Sequence, residues 1–554
     1  MGKPDFSTGQ PAHRLAPGNQ APDNQVPDLP DYNLYLTDAC LVEGVRREGA
    51  HSHEASLAAW GQRLGRADLA RLAAEVNRAA PVLRAFDRTG HRIDRVETHP
   101  GWPHFLSLAF AQGMQGRAWL QPEEGAHVAR AAHYLMHGQV EAGSLCPITM
   151  TSAAIPLLAR EPWFADLQPK LASDDYDDRD LPLARKHAMM VGMGLTEKQG
   201  GSDLRSNLSA AQAVGDGWFR LSGHKWFFSS PMSDAHLMLA RDGDAHSCFY
   251  VPRWLDDGQR NGVRIQRLKD KLGNRSNASA EVEFTDALGR RVGEPGRGIA
   301  TLIEMASTTR MDCVLGSAAL LRQGVVQAIH HARHRRAFGQ YLIDQPLMRQ
   351  VLADLALESE AATVLALRLA RTFDHPENPA EQAWRRILTP AAKFWVCKRS
   401  IEALAECMEV WGGNGYIEDG PMARLYREAP VNSIWEGSGN VMCLDVLRAA
   451  RHAGAYLGQA VDALAQSHPG EPALRDTASR LLRGLQAPQP PVHLARQMAQ
   501  DLVLLAQADL LLRHAPAAVS RAFVDSRLAD AGRVYGAGLT DLTSEALLQR
   551  AWPG

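Results

Sequence analysis

The chain has 554 residues, 45% of them hydrophobic and 22% charged, with a formal net charge of −2. That length exceeds one compact core, so two to four packed units are expected, and the near-neutral balance gives no global field toward nucleic acid or membrane. Seven cysteines without CxxC pairs or histidine clusters argue against zinc and a disulfide framework and fit a reducing, cytoplasmic compartment.

Met1 to Pro30 holds six prolines and many Gln, Asn and Gly. It has little to bury and no basic-then-apolar signal pattern, so residues 1–32 read as a mobile tail. Residues 33–190 read as an N-terminal helical domain, with Leu57, Trp60, Leu64 and Leu69, then Val128, Ala131, Ala132 and Leu135, at helical spacing. Pro147 and Pro156 mark helix starts or breaks there. No apolar run of about 18 residues suggests a membrane span.

Residues 191–298 change character. Ala280-Glu281-Val282-Glu283-Phe284 alternates apolar and acidic, and His236 to Leu239 and Cys248 to Val251 are short strand candidates. That period of two predicts a small antiparallel sheet domain. Over residues 299–447 helical spacing returns. Leu321, Val325, Ile329 and Ala332 share one face, with Arg322, His330 and Arg333 outside it. A second helix starts after Pro346 and a third covers about Ala391 to Val410. Residues 448–554 form an additional helical region interrupted at Ala487 to Pro491. It carries eleven Arg, no Lys and nine Asp or Glu.

Four segments carry candidate chemistry. Gly194-Leu195-Thr196-Glu197-Lys198-Gln199-Gly200-Gly201-Ser202-Asp203 combines glycines and hydroxyls that allow backbone to approach a phosphate or planar ring. A surface turn has the same composition, and no βαβ unit surrounds it to make a dinucleotide turn. Lys225-Trp226-Phe227-Phe228-Ser229 places aromatics on a strand, which pack in a core or stand against a cofactor ring. Arg335-Arg336-Ala337-Phe338-Gly339 with Gln345 supplies guanidinium forks that grip a pyrophosphate or simply face water at a helix end. Gly412 to Tyr416 and Arg424 to Glu428 precede Ile434-Trp435-Glu436-Gly437-Ser438-Gly439-Asn440. There a carboxylate among apolar and small residues would have a raised pKa suited to proton abstraction if it is desolvated.

Taken together, these segments resemble the acyl-CoA dehydrogenase family. Gly194 to Ser206 resembles its first signature, Glu409 to Glu428 its second, and Arg335, Phe338 and Gln345 its inter-subunit cofactor motif. The similarity is closer to the AidB branch, the alkylation-response flavoproteins, through Glu141 to Thr151, Met193 to Asp203, Arg267 to Ser279, Asn432 to Leu444 and the extra C-terminal helices.

The resemblance implies an α+β fold of helical domain, β domain and helical bundle, with FAD as cofactor and a homotetramer. It implies flavin contacts from Met193, Gly194, Leu195, Thr196, Glu197, Lys198, Gln199, Gly200, Gly201 and Ser202, and from Phe227, Phe228 and Ser229. Arg335, Phe338 and Gln345 would reach a neighbouring subunit's FAD. Ile434, Trp435, Gly437, Ser438, Gly439 and Asn440 would close over the cofactor. Glu436 would be the base that removes the proton alpha to a thioester carbonyl, because Thr308-Thr309-Arg310, the base neighbourhood of some branched-chain members, has no carboxylate before Arg310. Phe227 stands where the family usually has Trp, and Ser438 where Thr is commoner. The polar Asn274 to Ser279 differs from fatty-acyl members and argues against ordinary β-oxidation.

The AidB likeness adds an expected role in the alkylation response. Double-stranded DNA would be held by Arg475, Arg480, Arg483, Arg513, Arg521 and Arg527, with weak dehydrogenation of a small acyl-CoA retained. The alternative is a metabolic short- or branched-chain dehydrogenase with no DNA role.

Overall fold

The computed structural model describes residues 24–485, 487, 492–529, 535 and 541–552. Most of the proline break expected at 487–491, and residues 1–23 of the expected tail, lie outside them. The first unit contains α1 (Ala39–Arg47), α2 (Glu54–Leu64), α3 (Ala67–Arg78), β1 (Val82–Phe86), β2 (Arg92–Glu97) and α4 (Gly101–Ala111). It continues through α5 (Arg117–Leu120), α6 (Ala126–Val140), α7 (Leu145–Leu158) and α8 (Gln168–Leu171). The sheet unit has β3 (Val191–Gly194), β4 (Ala210–Gly215), β5 (Trp218–Ser229), β6 (Ala235–Asp242), β7 (Ala245–Pro252), β8 (Val263–Leu268) and β9 (Ser279–Val292).

Long helices follow. α9 (Gly298–His334) leads to a miniature hairpin, β10 (Arg336–Ala337) and β11 (Gln340–Tyr341), then α10 (Pro346–Asp374) and α11 (Pro379–Val410). The chain ends through α12 (Gly413–Tyr416), α13 (Met422–Asn432), α14 (Gly439–Ser467), α15 (Pro472–Leu485), α16 (Ala495–His514), α17 (Ala517–Val524) and α18 (Asp541–Ala551).

Local chemistry sets these limits. Pro346 begins α10, where its missing N–H costs nothing. Asn378 caps α11 by accepting from the N–H groups of Ala380 and Glu381. His331, Arg333 and His334 occupy the last turn of the 37-residue α9, where cations favour the helix dipole. The sheet runs β3-β6-β4-β5-β9-β7, with β8 on β9, and a further β6–β7 pairing closes it on itself. Phe219, Phe228, Phe249, Phe284 and Val282 fill its interior. Its other face, with Leu237, Leu239 and Tyr250, packs against Met150, Ile155 and Leu158 of α7 and Leu302 and Met305 of α9.

Several expectations are corrected. The middle unit is not purely antiparallel, because β3 and β4 both pair with β6 in parallel. The first unit is not all helical: β1 and β2 form a hairpin whose Leu83 and Val96 pack on the sheet unit. Pro156 lies inside α7 rather than breaking it. α14 crosses the expected boundary at 447/448, and its Leu457 and Val461 share one core with Leu502 and Leu505 of α16. Arg322 and His330 are buried, not outward-facing. Arg322 pairs with Asp38 at 3.0 Å, while His330 donates to the Pro27 carbonyl at 2.8 Å and stacks on Trp552. Chain ends that periodicity cannot see cover that face. Residues 24–32 of the expected tail are correspondingly packed: Asp31 accepts from the Ala67 amide and Tyr32 donates to Gln323.

Candidate active site

Glu436 lies in the loop between α13 and α14 at φ 58, a left-handed conformation rare for a residue with a Cβ. Three groups hold it there. The Thr309 hydroxyl donates to its carboxylate at 2.5 Å. Arg310 donates to its carbonyl at 3.1 Å and pairs with Asp445 at 2.7 Å. The fully buried Lys393 ammonium donates to the carbonyls of Trp435, at 2.7 Å, and Gly437, at 2.5 Å, on either side. Asp445 also pairs with Arg386 at 2.8 Å, which ties α14 to α11. Gly437 follows at φ 106, so two consecutive left-handed residues turn the chain sharply at the carboxylate. Such strain persists where the surroundings over-determine it, and it clusters at functional sites.

Burial raises the Glu436 pKa, while Thr309, Arg310 and Lys393 oppose that rise by favouring the ionised form. Cys146, at the start of α7, packs against the core shared by α7 and the sheet unit. Its thiol is pushed up to about 11 by burial, with Lys271 and the Ser229 hydroxyl opposing and Glu436 adding. Ser229, from the end of β5, has its hydroxyl 3.3 Å from that of Ser279 at the start of β9.

Ile434, two residues before Glu436, is 64% exposed, and Phe227 on β5 is 56% exposed with the Lys269 ammonium 4.6 Å from its ring. Among the described residues the buried Trp435 indole N–H has no hydrogen-bond partner. The Trp226 amide donates to the Thr196 carbonyl at 2.8 Å, which fixes the glycine-rich turn to β5. A Cβ on Gly201 would lie 2.5 Å from the Thr196 hydroxyl, so a larger residue there would displace the Thr196 side chain. Exposed aromatic and aliphatic side chains, a buried indole N–H and hydroxyl side chains are the groups that a flavin ring, planar and rich in hydrogen-bond acceptors, would use.

Not every expected contact faces that space. Glu197 is buried against Lys225 at 2.7 Å and also accepts from Ser209 and the Leu208 amide. Burial pushes its pKa up, but Lys225 and these donors prevail and leave it at about 2. Gln199 donates to Glu197 and to the Ser206 carbonyl. Phe228 is enclosed in the sheet interior against His236 and Phe284, and its ring fills the space a Cβ on Gly194 would need. The side chains of Glu197 and Phe228 are thus buried within the sheet unit, while Gln199 stays exposed on the turn. Met193, Leu195, Lys198 and Gly200 line the β3 end and its turn, the Lys198 ammonium lying 5.5 Å from the Trp226 ring. Ser438 and Gly439 open α14, and Asn440 accepts from Arg496 of α16 at 2.8 Å.

Arg335, Phe338 and Gln345 surround the β10–β11 hairpin, remote in sequence from Glu436. Phe338 sits at its tip at φ 53 and 98% exposed, and Gln345 donates to the Ala337 carbonyl at 3.1 Å. Among the C-terminal arginines, Arg480 pairs with Asp501, Arg513 with Asp509, and Arg521 with Glu471. Arg527 is enclosed against Asp354 and Glu358, so its side chain cannot reach a phosphate. Sequence reasoning missed Lys393, Asp445 and the holding role of Thr309 and Arg310. A lysine inside the apolar run Ala391-Ala392-Lys393-Phe394 was the available signal, because a buried ammonium must have partners.

The sheet unit between two helical units, with a carboxylate held in a strained loop before α14, is the arrangement of an acyl-CoA dehydrogenase-type flavoprotein. Residues 192–287 match the acyl-CoA dehydrogenase middle domain and 296–451 its C-terminal domain. Residues 24–178 match the family described as adaptive response protein AidB N-terminal domain. AidB of Escherichia coli (strain K12) is 47% identical over 96% of this chain and 98% of its own. The solved structure of Bd2924 in its apo form is 27% identical, with a TM-score of 0.80 over 90% of this chain and all of that one. Caenorhabditis elegans ACDH-11 in complex with C11-CoA shares the fold at 24% identity, with a TM-score of 0.82 over 98% and 94% of the two chains. The chain belongs to the acyl-CoA dehydrogenase family, in its AidB branch. It is an oxidoreductase of that type, with FAD as its cofactor.

Proposed function

We propose that this cytoplasmic protein abstracts the alpha proton of a small acyl-CoA thioester through Glu436, and that it serves the adaptive response to DNA alkylation as a homotetramer. The observation that carries the first part is the strained, desolvated Glu436, its carboxylate bonded by Thr309 and the backbone around it held by Arg310 and Lys393. Desolvation makes that carboxylate a stronger base, and the thioester carbonyl makes the alpha carbon acidic. FAD, when bound, supplies the hydride acceptor. Thr196, Ser202, Phe227 and Ser229 would hold its ring and chain on the sheet side, and Trp435 to Gly439 on the helical side. Arg335, Phe338 and Gln345 would reach the cofactor of a neighbouring subunit.

A small acyl group suits the surroundings. The loop Asn274 to Ser279 is tied down beside α7 by Ser276 donating to Glu141 at 2.6 Å and by the Asn274 amide donating to Glu428 at 2.9 Å. Asn274, Ser276, Asn277 and Ser279 of this loop are polar and buried, and a polar segment here supports a small acyl group over a long tail. Anaerobic addition of an acyl-CoA chain-length series tests this reading. The short thioesters should bleach the flavin, and equal or faster bleaching by long chains would contradict it.

Kinship with an adaptive-response protein supports a role at duplex DNA. Arg475 and Arg483, with the partly exposed Arg480, Arg513 and Arg521, would meet phosphates. A second reading, a metabolic dehydrogenase with no DNA role, is favoured by the carboxylates that neutralise Arg480, Arg513, Arg521 and Arg527. Salt-sensitive retention of duplex DNA by the purified protein separates the two.

A further inference from the structure

The segment just before the first helix makes a set of contacts out of proportion to its length. The Asn24 side-chain amide pairs reciprocally with the backbone of Arg336, its Nδ2 donating to the carbonyl at 2.9 Å and its Oδ1 accepting from the amide at 3.0 Å. The Asn24 carbonyl accepts from the Arg335 guanidinium. Gln25 accepts from Asn414 in the glycine-rich Gly412 to Tyr416 turn at 3.2 Å, and the Pro27 carbonyl accepts from His330 in the last turns of α9 at 2.8 Å.

Arg336 and Tyr341 pair across the β10–β11 hairpin, and Leu342 N–H bonds the Arg335 carbonyl. The outward backbone groups of Arg336 are therefore met by Asn24 as a third strand would meet them. At the tip, Phe338 and Gly339 both have positive φ, 53 and 81. A two-residue turn that leaves a phenylalanine left-handed and fully exposed is strained, and an isolated hairpin of this size has little stability of its own.

We propose that Asn24 is a positioning residue for FAD: it braces the Arg335–Phe338 hairpin in the shape that a neighbouring subunit's cofactor requires. This rests on the reading that the hairpin reaches that cofactor. Preorganisation acts through affinity, because a loop already held in its bound shape loses less freedom on binding. The brace is remote from Glu436, so it sets cofactor retention and leaves proton abstraction alone.

The test uses the full chain stripped of flavin and titrated with FAD, following the visible spectrum. Asn24→Ala removes both halves of the pairing and is expected to weaken FAD binding by about tenfold, the loss of two modest hydrogen bonds. Asn24→Asp keeps the acceptor and should fall between Asn24→Ala and the parent. At saturating FAD, the rate of flavin reduction by acyl-CoA should match the parent in both. Phe338→Ala runs in parallel. Weakened FAD binding in Phe338→Ala but not in Asn24→Ala overturns the brace and spares the hairpin reading; no change in either overturns both. A lower melting temperature in Asn24→Ala with unchanged FAD affinity shows a merely structural contact and also overturns the proposal. If Asn24→Ala does not fold, the Asn24→Asp titration decides alone.

Discussion

Thr309 and Glu436 lie 127 residues apart and meet in one hydrogen bond of 2.5 Å. A donor on a carboxylate stabilises its ionised form, whereas burial raises its pKa. The base must be ionised to act, so flavin reduction should rise with pH through the raised Glu436 pKa and then level off. Thr309→Ala removes a group that lowers that pKa, and stopped-flow rates should show the rising limb displaced to higher pH. An unchanged profile would mean that the hydroxyl only orients the side chain. The role of Glu436 as base was implied by the family resemblance and stays a proposal, while the sharp turn was legible in sequence from the glycines around it. Thr309 and Arg310 were not, since their sequence neighbourhood shows only that no carboxylate precedes Arg310. Hydrogen bonding to a residue so distant leaves no local signature.

Among the elements, two buried ammonium groups fasten the units that flank the site. Lys225 on β5 meets Glu197, with both side chains fully enclosed. Glu197→Gln leaves that cation unpaired and should cost about 3–5 kcal/mol in urea or thermal unfolding. The sign of its pH dependence follows from the depressed carboxylate. With a folded pKa of about 2 against about 4.3 unfolded, the pair contributes fully above the unfolded value. That contribution is lost as pH falls toward 2. Lys393 on α11 clamps the loop carrying Glu436 by its carbonyls. Lys393→Met should lower stability by about 2–3 kcal/mol and slow flavin reduction, since the left-handed turn loses its support. Retained speed with lowered stability would show that the other contacts suffice to hold the carboxylate. The long helices were legible from apolar spacing and from Pro346, but α11 begins at Pro379 rather than near Ala391 and carries Pro390 inside it. The β1–β2 hairpin was not, because only alternate residues of its short strands touch the sheet unit and helical sequence brackets it.

For the whole molecule, the C-terminal helices are integral to the bundle. α16 shares a core with α14 and α11, and Arg550 of α18 pairs with Glu43 of α1 and Glu360 of α10. Sequence showed an arginine-rich appendage, but charge counts do not reveal which arginines face carboxylates. Arg527→Met should lower the melting temperature and leave duplex retention unaltered, while Arg475→Ala with Arg483→Ala should reduce the salt slope of DNA binding by about 2. The reverse pattern would place any DNA contact elsewhere.

The account turns on Glu436 as the base acting beside bound flavin. Its most direct test is the anaerobic visible spectrum of FAD-loaded protein during titration with a short-chain acyl-CoA, for the parent and for Glu436→Gln at equal flavin content. The expected result is loss of the oxidised flavin band in the parent and a persistent oxidised spectrum in Glu436→Gln. Bleaching of both at the same rate, or a parent protein that takes up no FAD, would contradict it.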